Sequence, residues 1–116
     1  MAAITAQQTS EAGINGITFS SAAGGGDTIA FNASLMVFAK NDSGGSITVT
    51  CPEQVTGTIT DSKYGDLEKA DASIAVAAGA IGVFGPFKES AFKDSSGNIN
   101  LTYSSATSLT IAGIIT

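Results

Sequence analysis

The 116-residue chain has no histidine, no arginine, no tryptophan and a single cysteine. Each absence removes a class of chemistry. Without histidine there is no Ser-His-Asp triad, no Cys-His pair and no His-ligated zinc. Without arginine there is no bidentate clamp for a carboxylate or phosphate. The missing tryptophan removes the commonest sugar-stacking platform. Ten acids against five lysines leave a net charge of −5, whereas a nucleic-acid binder needs basic residues to displace counterions along phosphate. Nucleic acid is therefore excluded as a partner, and so is basic attachment to an anionic membrane. The remaining carboxylates and lysines form no catalytic grouping, so the expectation is a protein that is not an enzyme and uses no cofactor and no metal.

Cys51 cannot form an intrachain disulfide, which excludes a disulfide-stapled secreted scaffold. It continues the alternation Ile47, Val49, Cys51 and reads as a small core residue, reduced and inaccessible. Met1 to Thr9 carries no basic residue and no long apolar run, unlike a signal peptide or a membrane anchor. The apolar stretch from Ile74 to Phe87 is interrupted by Gly79, Gly82, Gly85 and Pro86. The expectation is a chain made and matured in a cytoplasm, without a membrane span.

Hydrophobic residues make up 43% of the chain, enough for one domain with its own core, but charged residues only 13%, about half the usual share. Gly, Ser, Thr and Asn supply the polarity. The pattern is one of short strands. Met1 to Ser10 reads as an extended, loosely held arm, with residues 1–16 forming the arm and 17–116 a single β-domain. Asn15-Gly16 is a tight-turn dipeptide, Ile17 to Ser20 could begin a strand, and Ala22 to Asp27 (AAGGGD) is a loop. Its glycines precede no Lys-Ser or Lys-Thr, so it is not a phosphate loop. Leu35, Val37 and Ala39 alternate with Met36 and Phe38, so both faces are apolar, as in a central strand. Asn41 to Gly45 turns, and Ile47, Val49 and Cys51 alternate with Thr48 and Thr50, which predicts an antiparallel hairpin over Ser34–Cys51. Pro52 ends it.

Val55 to Thr60 is a weaker strand. Asp61 to Asp71 holds six of the fifteen charges and reads as an exposed loop. Ser73 to Val76, a turn at Ala77 to Gly79, and Ala80 to Phe84 follow. Ile99, Leu101 and Tyr103 alternate, and a tight connection at Ser104 to Thr107 leads to a last strand, Leu109 to Ile115. That predicts a second hairpin over Asn98–Ile114. No window holds a helical period. Strands at roughly 8–12 residue spacing predict an all-β fold, an antiparallel β-sandwich or small barrel with a flexible N-terminal arm. The expected core includes Leu35, Val37, Ile47, Val49, Ile99, Leu101 and Ile111.

Candidate sites are few. Asp94-x-Ser96-x-Asn98 opens like a calcium loop but lacks the central Gly and terminal Glu, and reads as a hairpin turn. Asn32, Asn41 and Asn100 start glycosylation sequons that, without a secretion signal, are turn and strand residues. Phe84, Phe87 and Phe92 concentrate half of the six phenylalanines near one bend. Core packing and an apolar patch that docks on a partner are both open to them.

The order of three segments carries a resemblance: GGGDT…F…SLMVFAKNDSGGSITVT, then ASIAVAAGAIGVFGPF, then FKDSSGNINLTYSSATSLTIAGI. Over about Gly24 to Ile114 the chain resembles a family of small tailed-phage virion proteins regarded as head decoration, or cement, proteins. Its best signatures are GPF at Gly85 to Phe87 and TYSSATSLTIA at Thr102 to Ala112. Where members often have a basic residue in the VKN strand and after GPF, the chain keeps Lys40 and Lys88. It departs in the longer charged loop Asp61 to Asp71. The resemblance implies a β-rich fold bound to the outside of an icosahedral head, located on the virion and made in the host bacterial cytoplasm. The implied partners are the major capsid protein and further copies of the chain itself. The expected contact surface is the arm Met1 to Gly13, with Ile4, and the bend comprising Gly85, Pro86, Phe87, Lys88 and Phe92. The alternatives are a virion-displayed host-attachment or carbohydrate-binding module, and a tail or connector component.

Overall fold

A computed structural model describes residues 2–11, 13, 16–54, 58–61, 65–68, 71–87 and 92–115. The protein is all-β, with two mixed sheets packed face to face. The first sheet runs β1 (Ala2–Ile4), β4 (Asp27–Ala30), β11 (Asn98–Tyr103), β6 (Ile47–Cys51), β9 (Ala72–Val76). The second runs β10 (Ile81–Phe84), β5 (Leu35–Asn41), β12 (Leu109–Ile115), β2 (Gln7–Gln8), and β3 (Ser20–Ser21) also pairs with β12. A separate ribbon joins β7 (Thr58–Asp61) to β8 (Gly65–Glu68).

Alternation builds the core. In β5 and β6 every second residue (Leu35, Val37, Ala39; Ile47, Val49, Cys51) turns inward and is buried. Ile99 and Leu101 of β11 and Leu109 and Ile111 of β12 meet them from the other strands. All seven side chains expected in the core are there, each at most 2% exposed. β5 lies between β10 and β12, the central position that its two apolar faces require.

The strand partners differ from the expected ones. β5 and β6 do not form a hairpin: β5 pairs with β12 and β10, β6 with β11 and β9. The expected Asn98–Ile114 hairpin is likewise absent, since β11 belongs to the first sheet and β12 to the second. The turn at residues 77–80 also crosses, from β9 to β10. All three connections are arches between sheets. The physical reason is a degeneracy: two alternating strands that face one core can sit side by side or across it, and the period-2 pattern is identical.

The arm of residues 1–16 is not loosely held throughout. β1 pairs parallel with β4, and β2 pairs parallel with β12, so the sheets are mixed rather than purely antiparallel. Main-chain hydrogen bonding explains this, because the edges of β4 and β12 offer unpaired groups that almost any sequence can satisfy. The charged segment expected as a loop contributes β8 to the ribbon.

Candidate docking end of the sandwich

Residues singled out in the arm and in the bend lie toward the same end of the fold. Gly85 follows β10 with φ +115°, and a Cβ there would lie 2.8 Å from the Leu35 carbonyl oxygen. A side chain is thus barred on both counts. Leu35 pairs with Ile115, and Ile115 lines an open groove of about 480 Å³ together with Ala3–Ala6, Thr28, Ala30, Phe31, Asn32 and Asn98. The bend and the first strand therefore flank the same end. The Asn32 side chain accepts a hydrogen bond from the Ser34 amide at 2.8 Å and its carbonyl accepts from Leu35 at 3.1 Å, which closes the turn into β5.

The side chains divide between core and surface. Phe87 is 6% exposed and belongs to the core, its ring edge-on to Phe84 at 5.3 Å and to Phe92 at 5.6 Å. Ile4, at 7%, is also buried. Phe92 is half-buried against the same cluster. Gly85 and Pro86 are exposed, across a cis peptide bond. The Lys93 ammonium sits 5.9 Å from the Phe31 ring centroid. Lys88 lies outside the described residues. Of the expected docking residues, then, Gly85 and Pro86 present surface, Ile4 is buried beside the groove it lines, and Phe87 is packed in the core.

Sequence reasoning missed two buried polar residues. Asn41, fully buried at the end of β5, donates from Nδ2 to the Gly45 carbonyl at 2.8 Å and the Val76 carbonyl at 2.9 Å. Its Oδ1 accepts from the Ser43 amide and hydroxyl. Val76 lies on β9, so this one amide ties the second sheet to the first. Asp27, also fully buried, accepts from the Tyr103 hydroxyl at 2.5 Å and the Ala23 amide at 3.1 Å, while its Oδ1 has no hydrogen-bond partner. Burial first, then the Asp27 carboxylate, pushes the Tyr103 hydroxyl up from its ordinary pKa. The preceding Gly26 (φ +98°) would place a Cβ 2.6 Å from the Leu101 carbonyl oxygen, so the glycine run ends in a fitted corner. Asn in a turn and Asp at a strand start were visible signals; their burial was not.

The other candidates resolve locally. Cys51 is fully buried, and burial, opposed by a hydrogen bond with the Asn100 backbone, leaves its thiol pKa pushed up to about 12. A thiolate does not form there near neutral pH. The Asp94 carboxylate accepts from the amides of Asn98 (2.9 Å) and Ser96 (2.8 Å) and from the Asn100 side chain (2.9 Å). These bonds, Asn98 first, hold its carboxyl below the usual range, and the segment is the turn its sequence predicts. Among the described residues no three His, Cys, Asp or Glu side chains gather as a metal site. Compared with known protein families, curated proteins and solved structures, the chain matches none.

Proposed function

We propose that the chain is a non-enzymatic virion structural protein, a decoration or cement protein that binds the outer surface of an icosahedral head and stabilises it. The observation that carries the reading is an open groove beside the first strand, lined by Ala3, Ala30 and Phe31, at the end of the sandwich toward which the exposed Gly85–Pro86 bend also lies. An uncharged, partly apolar concavity on an otherwise acidic domain fits contact with another protein. The residues that carry the family resemblance include the GPF of this bend. The partners are the major capsid protein and neighbouring copies on the lattice, where individually weak contacts add through multivalency. The site of action is the virion head.

The test is co-sedimentation with capsids of the encoding phage, together with the heat resistance of those capsids. Wild-type protein is expected to co-sediment and to raise that resistance. Ala30→Lys, an exposed change at the groove, is expected to weaken binding at least tenfold with an unchanged melting temperature. Wild-type protein that neither sediments with the capsids nor protects them from heat overturns the reading.

A further inference from the structure

Residues 2–9 are one continuous segment that belongs to both sheets. β1 adds to β4 in the first sheet, Thr5 and Ala6 carry the chain across, and β2 adds to β12 in the second. The hold on each sheet is slight. β1 supplies three ladder residues and β2 two, and the Thr9 amide donates to the Ile115 carbonyl at 2.8 Å. The two bonds between the Gln7 side chain and the Thr18 backbone, at 2.8 and 3.0 Å, are exposed to water. Ile4 is the one buried side chain of the segment, while Ala2, Ala3, Thr5 and Gln8 are exposed. Few buried apolar groups and exposed backbone bonds mark a unit that opens at lower free energy than the core. Farther along, Gly13 (φ +80°) and Gly16 (φ +91°) have open space where a Cβ would stand, so the chain can turn there without displacing a packed neighbour.

We propose that residues 2–9 are a latch that opens and closes as one unit while the rest of the sandwich stays folded. The position of the anchor makes it one unit. β2 buries no side chain, and Ile4, the residue that fixes the segment, sits in the other sheet. Once β1 is released, a two-residue ladder and the Gln7 bonds are left to oppose the entropy of ordering the whole segment.

Closure also completes the groove, because Ala3, Ile4, Thr5 and Ala6 form part of its lining. Opening removes that part and at the same time bares the main-chain edges of β4 and β12. The groove and the two edges are thus alternative surfaces of one chain. A ligand of the closed groove favours the latched form, and anything that takes an edge favours the open one.

Hydrogen exchange of the free, full chain reads the latch directly, so its outcome is independent of head binding. The Thr9 and Thr18 amides are the reporters. They are expected to exchange roughly tenfold or more faster than the Asn41 amide, which donates to Ala80 at 3.0 Å, and with little dependence on sub-denaturing urea. Ile4→Ala, a change in the first sheet, is expected to speed both reporters beside the second by roughly tenfold or more. Circular dichroism checks that the variant is folded. Independently, Ala3→Cys with Thr28→Cys places two thiols opposite each other in the β1–β4 register, within the reach of a disulfide. The oxidised lock is expected to slow both reporters by a similar factor and reduction to restore them, the buried Cys51 taking no part. This lock decides if Ile4→Ala fails to fold. Reporters that exchange as slowly as Asn41, with the urea dependence of global unfolding, overturn the proposal. So do reporters that respond neither to Ile4→Ala nor to the lock, since β2 would then open by itself.

Discussion

At the N-terminal side of the sandwich, β1 extends the first sheet beyond β4 and β2 extends the second beyond β12. At the opposite side, β9 and β10 end their sheets among the described residues and are joined by a tight arch. The N-terminal strands are short and rich in Ala and Gln, with one buried aliphatic, Ile4. β10 is apolar and presents Ile81 and Val83 to solvent. A covalently attached segment can cover an edge with main-chain hydrogen bonds alone, so it needs little apolar surface beyond one anchor. An edge left without such cover keeps its outward amides and its exposed side chains, and those are the features that a partner strand uses.

The contrast makes graded expectations. The largest concerns the anchor that follows β10. Phe87→Ala removes a ring wedged between Phe84 and Phe92 and is expected to cost about 3–5 kcal/mol of folding stability, read as a collapse of the melting temperature in the free chain. A melting temperature that holds while capsid binding is lost would move Phe87 from the core to an interface. Ile4→Ala tests the other anchor. It is expected to cost about 2 kcal/mol by urea unfolding, the lower end for a buried aliphatic, because an edge strand can relax into part of the space. No measurable cost would return residues 2–4 to a loosely held arm.

Gln7 offers a smaller effect on the same side. Its side chain donates to the Thr18 carbonyl at 2.8 Å and accepts from the Thr18 amide at 3.0 Å, so Gln7→Ala should cost about 1 kcal/mol. Amide exchange at Thr18 would report the loss directly. The smallest effect is expected on β10, where Val83→Lys leaves folding stability within about 0.5 kcal/mol, as for a surface change. A large loss there would show that the edge is stabilised from within the chain, and the contrast between the two sides would fail.

Inward and outward faces were legible along most strands because burial writes a period of two into the residues themselves. Leu35, Val37, Ile47, Val49 and Cys51 needed no partner to be assigned to the core, and Cys51 is as inaccessible as its place in the alternation implies. The candidate site was legible only as composition. GPF and the neighbouring phenylalanines marked a place where something is packed, but a phenylalanine that anchors a core and one that anchors an interface have the same sequence context. Phe87 is assigned by what surrounds it, Phe84 and Phe92.

The all-β class, the strand faces, the turns and the exclusion of histidine- and arginine-dependent chemistry follow from the residues alone, since each depends on a local pattern or on a residue that is absent. Strand partnership does not. Asn41 to Gly45 and Ser104 to Thr107 read as hairpin turns, yet both pass from one sheet to the other. Part of that decision lies in contacts distant in sequence: the Asn41 amide reaches Val76, 35 residues on, and the Asp42 amide donates to Ser108 at 2.9 Å. A short segment cannot encode the groups that will lie across the core from it. Only the closed sandwich, in which every inward main-chain and side-chain group must find its place at once, chooses the arch over the hairpin and leaves β10 at an edge.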